Sequence, residues 1–360
     1  MSKMKKKDIG IAVIGSGRIG SLRAGMASRH PSVHFLALAD KDKTKADILA
    51  QKTGANLVTN NNFDAISHED VDAVIVATPE HDHVEAVLQA VKLGKPVFLE
   101  KPLALTLEDG NLIANAVKEA GVELVIGYSR RHDRRWMMTK QHIKEGRLGE
   151  VIAIQSRVMN TRAQMLEIIK RSPGASPVLD VLTYYVDLVC WYLEGIRPVE
   201  VVARSHGKVF RNLGHEVDEA TWAIITFENG AIVNLGIFYA LPATYPTFGQ
   251  SPRFEIFGED GVILLDADNK DSVLYSDKGI PHAYVPDHDP KMLFMQTNSS
   301  GDWVGDDFWG PIANETRSWL DHLVTGSPIP HTTIEEGLKT LQITLAIEES
   351  ARTGNAVIID

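Results

Sequence analysis

From Asp8 to Gly127, short and almost continuously apolar runs alternate with amphipathic stretches. The runs Gly10–Ile14, His34–Ala39, Ala73–Ala77, Pro96–Leu99 and Val122–Ile126 predict strands, and the periodic stretches near Ile19–Ser28, Lys43–Lys52, His83–Lys92 and Leu107–Ala120 predict helices between them. Ala73-Val-Ile-Val-Ala77 lacks polar alternation, as a strand covered on both faces requires. Repeated strand–helix–strand units imply right-handed crossovers and a doubly wound parallel sheet.

After Gly127 the pattern changes. A helical stretch near Arg134–Glu145 ends at Gly146, and then come the β-rich runs Val151–Val158, Val199–His206, Ala220–Phe227, Ala231–Phe238, Arg253–Phe257 and Val262–Leu265. Glu228-Asn229-Gly230 and Glu259-Asp260-Gly261 fall between runs, where Asn-Gly and Asp-Gly suit hairpin turns. Asp266–Gly305 is long, polar and without clear periodicity, as functional loops or interface arms are. Helices near Asp306–Thr325 and Thr333–Thr353 end the chain. The fold class expected is α/β. A doubly wound parallel-sheet domain over residues 1–127 precedes an α+β domain with a mainly antiparallel sheet over residues 128–360.

Composition narrows the function. The chain has 360 residues, an ordinary 44% hydrophobic content and a net charge of −10, a poor basis for phosphate-backbone binding. Its one cysteine, Cys190, cannot form an internal disulfide, and no apolar run is long enough to span a bilayer. A cytoplasmic protein with neither nucleic-acid nor membrane partners is expected.

Gly15-Ser-Gly17-Arg18-Ile19-Gly20 directly follows a predicted strand and opens a helix. In that setting Gly15 permits a tight turn, Gly17 a close approach to pyrophosphate, and Gly20 close helix–strand packing, with the amides around Arg18 and Ile19 facing the phosphates. Asp40 ends the second predicted strand. A carboxylate there accepts hydrogen bonds from ribose hydroxyls and repels a 2′-phosphate, which favours NAD. Arg18, Lys41 and Lys43 keep NADP as an alternative.

Ala77-Thr78-Pro79-Glu-His-Asp-His83 and Val97-Phe-Leu-Glu100-Lys101-Pro102 end the next strands, followed by Gly127-Tyr-Ser-Arg-Arg131, Gly149-Glu150 and Phe257-Gly-Glu-Asp-Gly261. Together they resemble the glucose–fructose oxidoreductase / inositol dehydrogenase (Gfo/Idh/MocA) family of NAD(P)-dependent oxidoreductases. The resemblance implies a Rossmann dinucleotide-binding first domain, cofactor contacts at Thr78, Pro79, His83, Glu100 and Lys101, and a homodimer or homotetramer formed through an open second sheet. Lys101, at the carboxyl end of a strand, falls where α/β sheets bind ligands. Beside an oxidised nicotinamide its ammonium is disfavoured, so it can donate a hydrogen bond to the reacting oxygen and help to move the hydroxyl proton.

Asp180, Tyr184 and Asp187 fall on one stripe of an otherwise apolar helical run, Val178–Glu194. Carboxylates on a buried stripe need partners or a function. The family pattern is Asp, then His, then often Asp; this chain has Tyr184 at the His position, as some members do. Asp180 is expected to anchor substrate and Tyr184 to relay the proton. Arg130, Asn160 and Arg162 are further substrate-contact candidates, although Arg130 and Arg131 also suit structural salt bridges. His81, Asp82 and His83 are too close in sequence to converge on an ion, and no metal site is expected.

The expected activity is hydride transfer between nicotinamide and a secondary alcohol or ketone of a sugar, cyclitol or related polyol. The alternatives are a glycosidase of this fold that oxidises its substrate transiently, an aromatic dihydrodiol dehydrogenase, and a non-catalytic NAD(P)-sensing protein.

Overall fold

The computed structural model describes residues 8–172, 175–246, 250–266, 273–275, 291–294, 301–305 and 307–359. The chain divides into two compact units, Met1–His132 with Pro311–Leu341 and Asp133–Gly310 with Gln342–Asp360.

In the first unit β1 (Ile9–Ile14), α1 (Arg18–Arg29), β2 (Val33–Ala39), α2 (Lys43–Thr53), β3 (Leu57–Thr59), α3 (Asn62–Ile66), β4 (Ala73–Val76), α4 (His83–Lys92), β5 (Val97–Glu100), α5 (Leu107–Ala120) and β6 (Leu124–Gly127) follow in order. β1 and β4 are buried at every position, as the unbroken apolar runs require. Side chains place the helix starts: Asp42 accepts from the Thr44 amide at α2, and Thr106 from the Asp109 amide at α5. The parallel strands run β6-β5-β4-β1-β2-β3, so the order reverses between β1 and β4. Crevices at such switch points, at the strands' carboxyl ends, are where α/β sheets bind ligands.

The second unit contains α6 (Arg134–Lys144), β7 (Val151–Thr161), α7 (Arg162–Arg171), α8 (Thr183–Tyr192), β8 (Pro198–His206), β9 (Ala220–Phe227), β10 (Ile232–Leu241), β11 (Ser251–Gly258) and β12 (Val262–Asp266). Two short ladders follow, β13 (Val273–Tyr275) with β14 (Met292–Phe294) and β15 (Asp302–Val304) with β16 (Asp307–Trp309). Most of the arm expected over Asp266–Gly305 lies outside the described residues. α9 (Pro311–Thr325), β17 (Thr332–Thr333), α10 (Ile334–Thr353) and β18 (Val357–Ile358) complete the chain.

The second sheet has the order β12-β11-β7-β10-β9-β8-β18 and is antiparallel except for the β7–β10 pair. Its inner face alternates cleanly: Ala223, Ile225 and Phe227 of β9 and Val233, Leu235 and Ile237 of β10 join one core with Tyr185, Val186 and Val189 of α8.

The expected division at residue 127 needs correcting in its last part. Pro311–Leu341 belongs with the first unit rather than with 128–360. Trp319 and Leu320 of α9 are fully buried in the core that includes Ile11, Val13 and Phe98, and β17 adds an antiparallel strand beside β6. An apolar helix face carries no label of the sheet that it covers, so its period alone gave no assignment.

Candidate active site

In the first unit the glycine loop leaves the end of β1. Gly15 has φ +98°, and a Cβ there would lie 2.5 Å from the Ala77 carbonyl oxygen. A Cβ on Gly20 would lie 1.9 Å from the carbonyl oxygen of Gly15, so α1 seats against the turn only because Gly20 has none. A Cβ on Gly17 would meet nothing within 4 Å, and this is the position open to an approaching phosphate. Arg18 and Ile19 begin α1, so the helix N-terminus, with the positive end of its dipole, opens on the glycine turn.

Asp40 closes β2 and turns its carboxylate to the same loop. Its Oδ2 accepts from the Ser16 amide at 2.7 Å and its Oδ1 from the Asp42 amide at 2.9 Å, which fixes the group while leaving each oxygen a further lone pair. Two cations that kept NADP open are engaged: Lys41 bonds Asp82 at 2.7 Å and Lys43 bonds Asp47 at 2.6 Å. Ser16 and Thr78 have buried hydroxyls without a hydrogen-bond partner. Orphaned donors beside an open glycine fit a polyanionic dinucleotide. Ser16 was not singled out from the sequence, although its place between Gly15 and Gly17 was the available signal.

The β5 end carries Glu100, Lys101 and a cis Lys101–Pro102 peptide. Glu100 faces inward: its Oε1 accepts from Arg23 Nε at 2.5 Å, while Arg23 also bonds Glu315 at 2.7 Å and the Thr316 hydroxyl at 2.7 Å, with its guanidinium 4.0 Å from the Phe98 ring centre. Lys101, the next residue, is partly exposed. His83 has no exposed surface, and its ring nitrogens lie 3.0 Å from the Pro102 carbonyl and 3.2 Å from the Thr78 carbonyl. Burial lowers its pKa, against the pull of Glu80 and the two carbonyls, so the neutral ring donates to one of them. The imidazole links the loops that carry Thr78 and Lys101. Pro79 precedes the single 3₁₀ turn between β4 and α4. Arg130 is 8% exposed, and Arg131 gives two hydrogen bonds to Glu336 at 2.9 and 3.0 Å.

In the second unit the expected helix is wound in two ways. Val178–Leu182 is a π-helical turn that runs into α8. Asp180 lies in the π turn, partly exposed, and its Oδ2 accepts from the Tyr239 hydroxyl of β10 at 2.9 Å. Tyr184 is partly exposed one turn later, whereas Asp187 is fully buried. Nothing in the sequence paired Tyr239 with Asp180. Asn160 falls inside β7 rather than after it; its amide nitrogen lies 3.3 Å from Gln164, and its carbonyl oxygen is buried without a hydrogen-bond partner. Arg162 opens α7 and donates to the carbonyls of Ala240 and Leu241 at 3.1 and 3.3 Å, so its guanidinium serves the end of β10.

The glycine turn, the fixed Asp40 and the orphaned hydroxyls define a dinucleotide-binding protein of the Rossmann class. Residues 9–128 match the model described as "Oxidoreductase family, NAD-binding Rossmann fold", and residues 136–264 match the Gfo/Idh/MocA C-terminal domain. A scyllo-inositol 2-dehydrogenase (NAD(+)) of Bacillus subtilis is 29% identical over 77% of this chain and 79% of its own. A myo-inositol 2-dehydrogenase of Thermotoga maritima is 26% identical over 97% of this chain and 98% of its own. The crystal structure of myo-inositol 2-dehydrogenase from Lactobacillus plantarum shares the fold, with a TM-score of 0.80 at 22% identity over 98% of this chain and 100% of that one. The chain belongs to the Gfo/Idh/MocA family and is an NAD-dependent oxidoreductase acting on CH–OH groups.

Proposed function

We propose that the protein is a cytoplasmic dehydrogenase that oxidises one secondary hydroxyl of a cyclitol, with inositols the first class to test and sugars the next. The single observation carrying this reading is Asp180, a carboxylate fixed by Tyr239 yet partly exposed, one helical turn from Tyr184. A positioned carboxylate suits a substrate dense in neighbouring hydroxyls, because it accepts from two of them at once. The relatives named for inositol support the same class.

NAD+ would be held by the Gly15–Gly20 turn and Asp40 and would supply the hydride acceptor for the carbinol carbon. The chain's own groups deal with the hydroxyl proton: Lys101 donates a hydrogen bond to the reacting oxygen, and Tyr184 takes part in passing its proton to solvent. Asp180 orients the ring, with Arg130 and Asn160 as further contacts. The products are a ketone, NADH and a proton. One feature supports oligomerisation through the second sheet: its exposed apolar outer positions.

The test mixes purified protein with NAD+ or NADP+ across inositols, sugars, sugar acids and dihydrodiols and follows reduced nicotinamide. Turnover on an inositol is expected, lower by roughly 10²–10⁴-fold in Lys101→Ala while NAD+ binding persists. Reduction with sugars alone, or with none of the panel, would reject the cyclitol reading.

A further inference from the structure

His132, Glu315 and His331 stand far apart in the chain, yet the first unit brings one donor atom of each within 4.8 Å of the other two. His132 closes the 3₁₀ turn after β6, Glu315 lies in the second turn of α9, and His331 precedes β17. All three are at least nine-tenths buried, at 5%, 1% and 6% exposure. The imidazole rings lie 4.3 Å apart between centres, tilted by 58°.

A hydrogen bond fixes what the His331 ring presents. His331 Nε2 lies 3.2 Å from the Glu315 main-chain carbonyl, which can only accept, so Nε2 carries the proton and Nδ1 keeps its lone pair. That Nδ1 is buried without a hydrogen-bond partner, and so is His132 Nε2. Burial first, then the guanidiniums of Arg23 and Arg131, hold His132 unprotonated, with a pKa of about 3. Neither nitrogen is satisfied by the protein, which is costly inside a core. The surrounding charge permits a cation. Arg23 is held by Glu100 and Glu315 and Arg131 by Glu336, so two guanidiniums face three carboxylates.

We propose that His132, Glu315 and His331 form a structural site for one divalent ion of the zinc, cobalt or nickel class. Two neutral imidazoles and a carboxylate are a ligand set that such ions take, with a water completing four-coordination. A ring whose other nitrogen donates to a main-chain carbonyl is oriented as metal-binding histidines are. Burial makes the ion a staple, tying the turn after β6 to α9 and to the segment before β17. No part of the hydride transfer depends on it.

The experiment uses the full-length protein, stripped with a chelator and then titrated with Co2+. One equivalent is expected to bind, with the visible ligand-field absorption of nitrogen- and oxygen-bound cobalt, and zinc is expected to raise the thermal midpoint of the stripped protein. His331→Ala and His132→Ala should each weaken cobalt binding at least a hundredfold, whereas His81→Ala, at an exposed histidine, should leave it unchanged. The wild-type titration stands even if a core variant fails to fold. An absence of cobalt absorption together with a midpoint indifferent to zinc would overturn the site and leave a water between the imidazoles. Absorption persisting in both folded His variants would place the ion elsewhere and overturn it equally.

Discussion

Asp40 accepts two main-chain hydrogen bonds and still faces the glycine loop, so replacing it alters affinity as well as charge. Asp40→Ala removes a charge-assisted bond of about 1.5–3 kcal/mol to the ribose and leaves the Ser16 amide without its acceptor. The KM for NAD+ should rise roughly ten- to a hundredfold, while that for NADP+ changes much less. Initial rates with both nucleotides measure this, and an unchanged NAD+/NADP+ ratio would mean that selectivity lies elsewhere. Tyr184 makes a second test at the same scale. Tyr184→Phe keeps the ring and deletes only the hydroxyl, so kcat should fall roughly a hundredfold with nucleotide affinity intact. Undiminished kcat would remove the phenol from the proton route. These positions were legible because each sits at a fixed offset from a strand end or a helix stripe. Tyr239 and the buried histidine pair were not, since their relevance arises from partners brought together only by folding.

The Arg23 guanidinium, itself buried, joins three elements, α1, β5 and α9, through Glu100 and Glu315. Arg23→Met would leave two buried carboxylates without their cation, and breaking such a network costs about 3–5 kcal/mol. A clear fall in the urea midpoint is expected, and a midpoint within error of wild type would show that the carboxylates find water. His83 links the loops after β4 and β5, and its pH behaviour has a definite sign. The folded state lowers its pKa below the ordinary 6.5, so the unfolded chain takes the proton first as pH falls. Its contribution is therefore complete above the unfolded value and is lost as pH drops towards the folded one. His83→Gln removes this titration, so the gap in stability between about pH 7.5 and about pH 5 should narrow in the variant. Equal pH dependence in both proteins would mean that the ring is not the titrating group. Helix and strand positions were largely readable from periodicity: Leu107–Ala120 is the helix expected, while β7 runs on to Thr161 and β3 escaped notice at three residues. The π turn at Val178–Leu182 could not be read, because its sequence is as apolar and helix-compatible as the α-helix that it enters.

At the scale of the whole molecule, a chain with net charge −10 repels its own copies unless a surface outweighs that charge. The second sheet supplies the contrast. Its inner face is covered by α8, whereas the outer positions Trp222, Ile224, Ile232, Val262 and Leu264 are 44–64% exposed. The register puts Trp222 opposite Gly236 and Ile224 opposite Asn234 on β10, so these side chains share one face and are not scattered. Ile232, Ala153, Phe257 and Val262 stand side by side across four strands, an apolar row of the kind that marks an interaction surface. Ile224→Glu combined with Leu264→Glu places two like charges on that face without disturbing the inner core, where Ala223, Ile225 and Ile263 pack. If copies of the chain associate there, sedimentation should show the wild type as a dimer or tetramer and the double variant as a folded species of 39.6 kDa, the mass of one chain. The variant's NAD+ binding should persist, because Gly15, Gly17 and Asp40 belong to the other unit. A wild type that sediments as one chain, or a double variant that keeps its partners, would show that the exposed face is not where the copies meet.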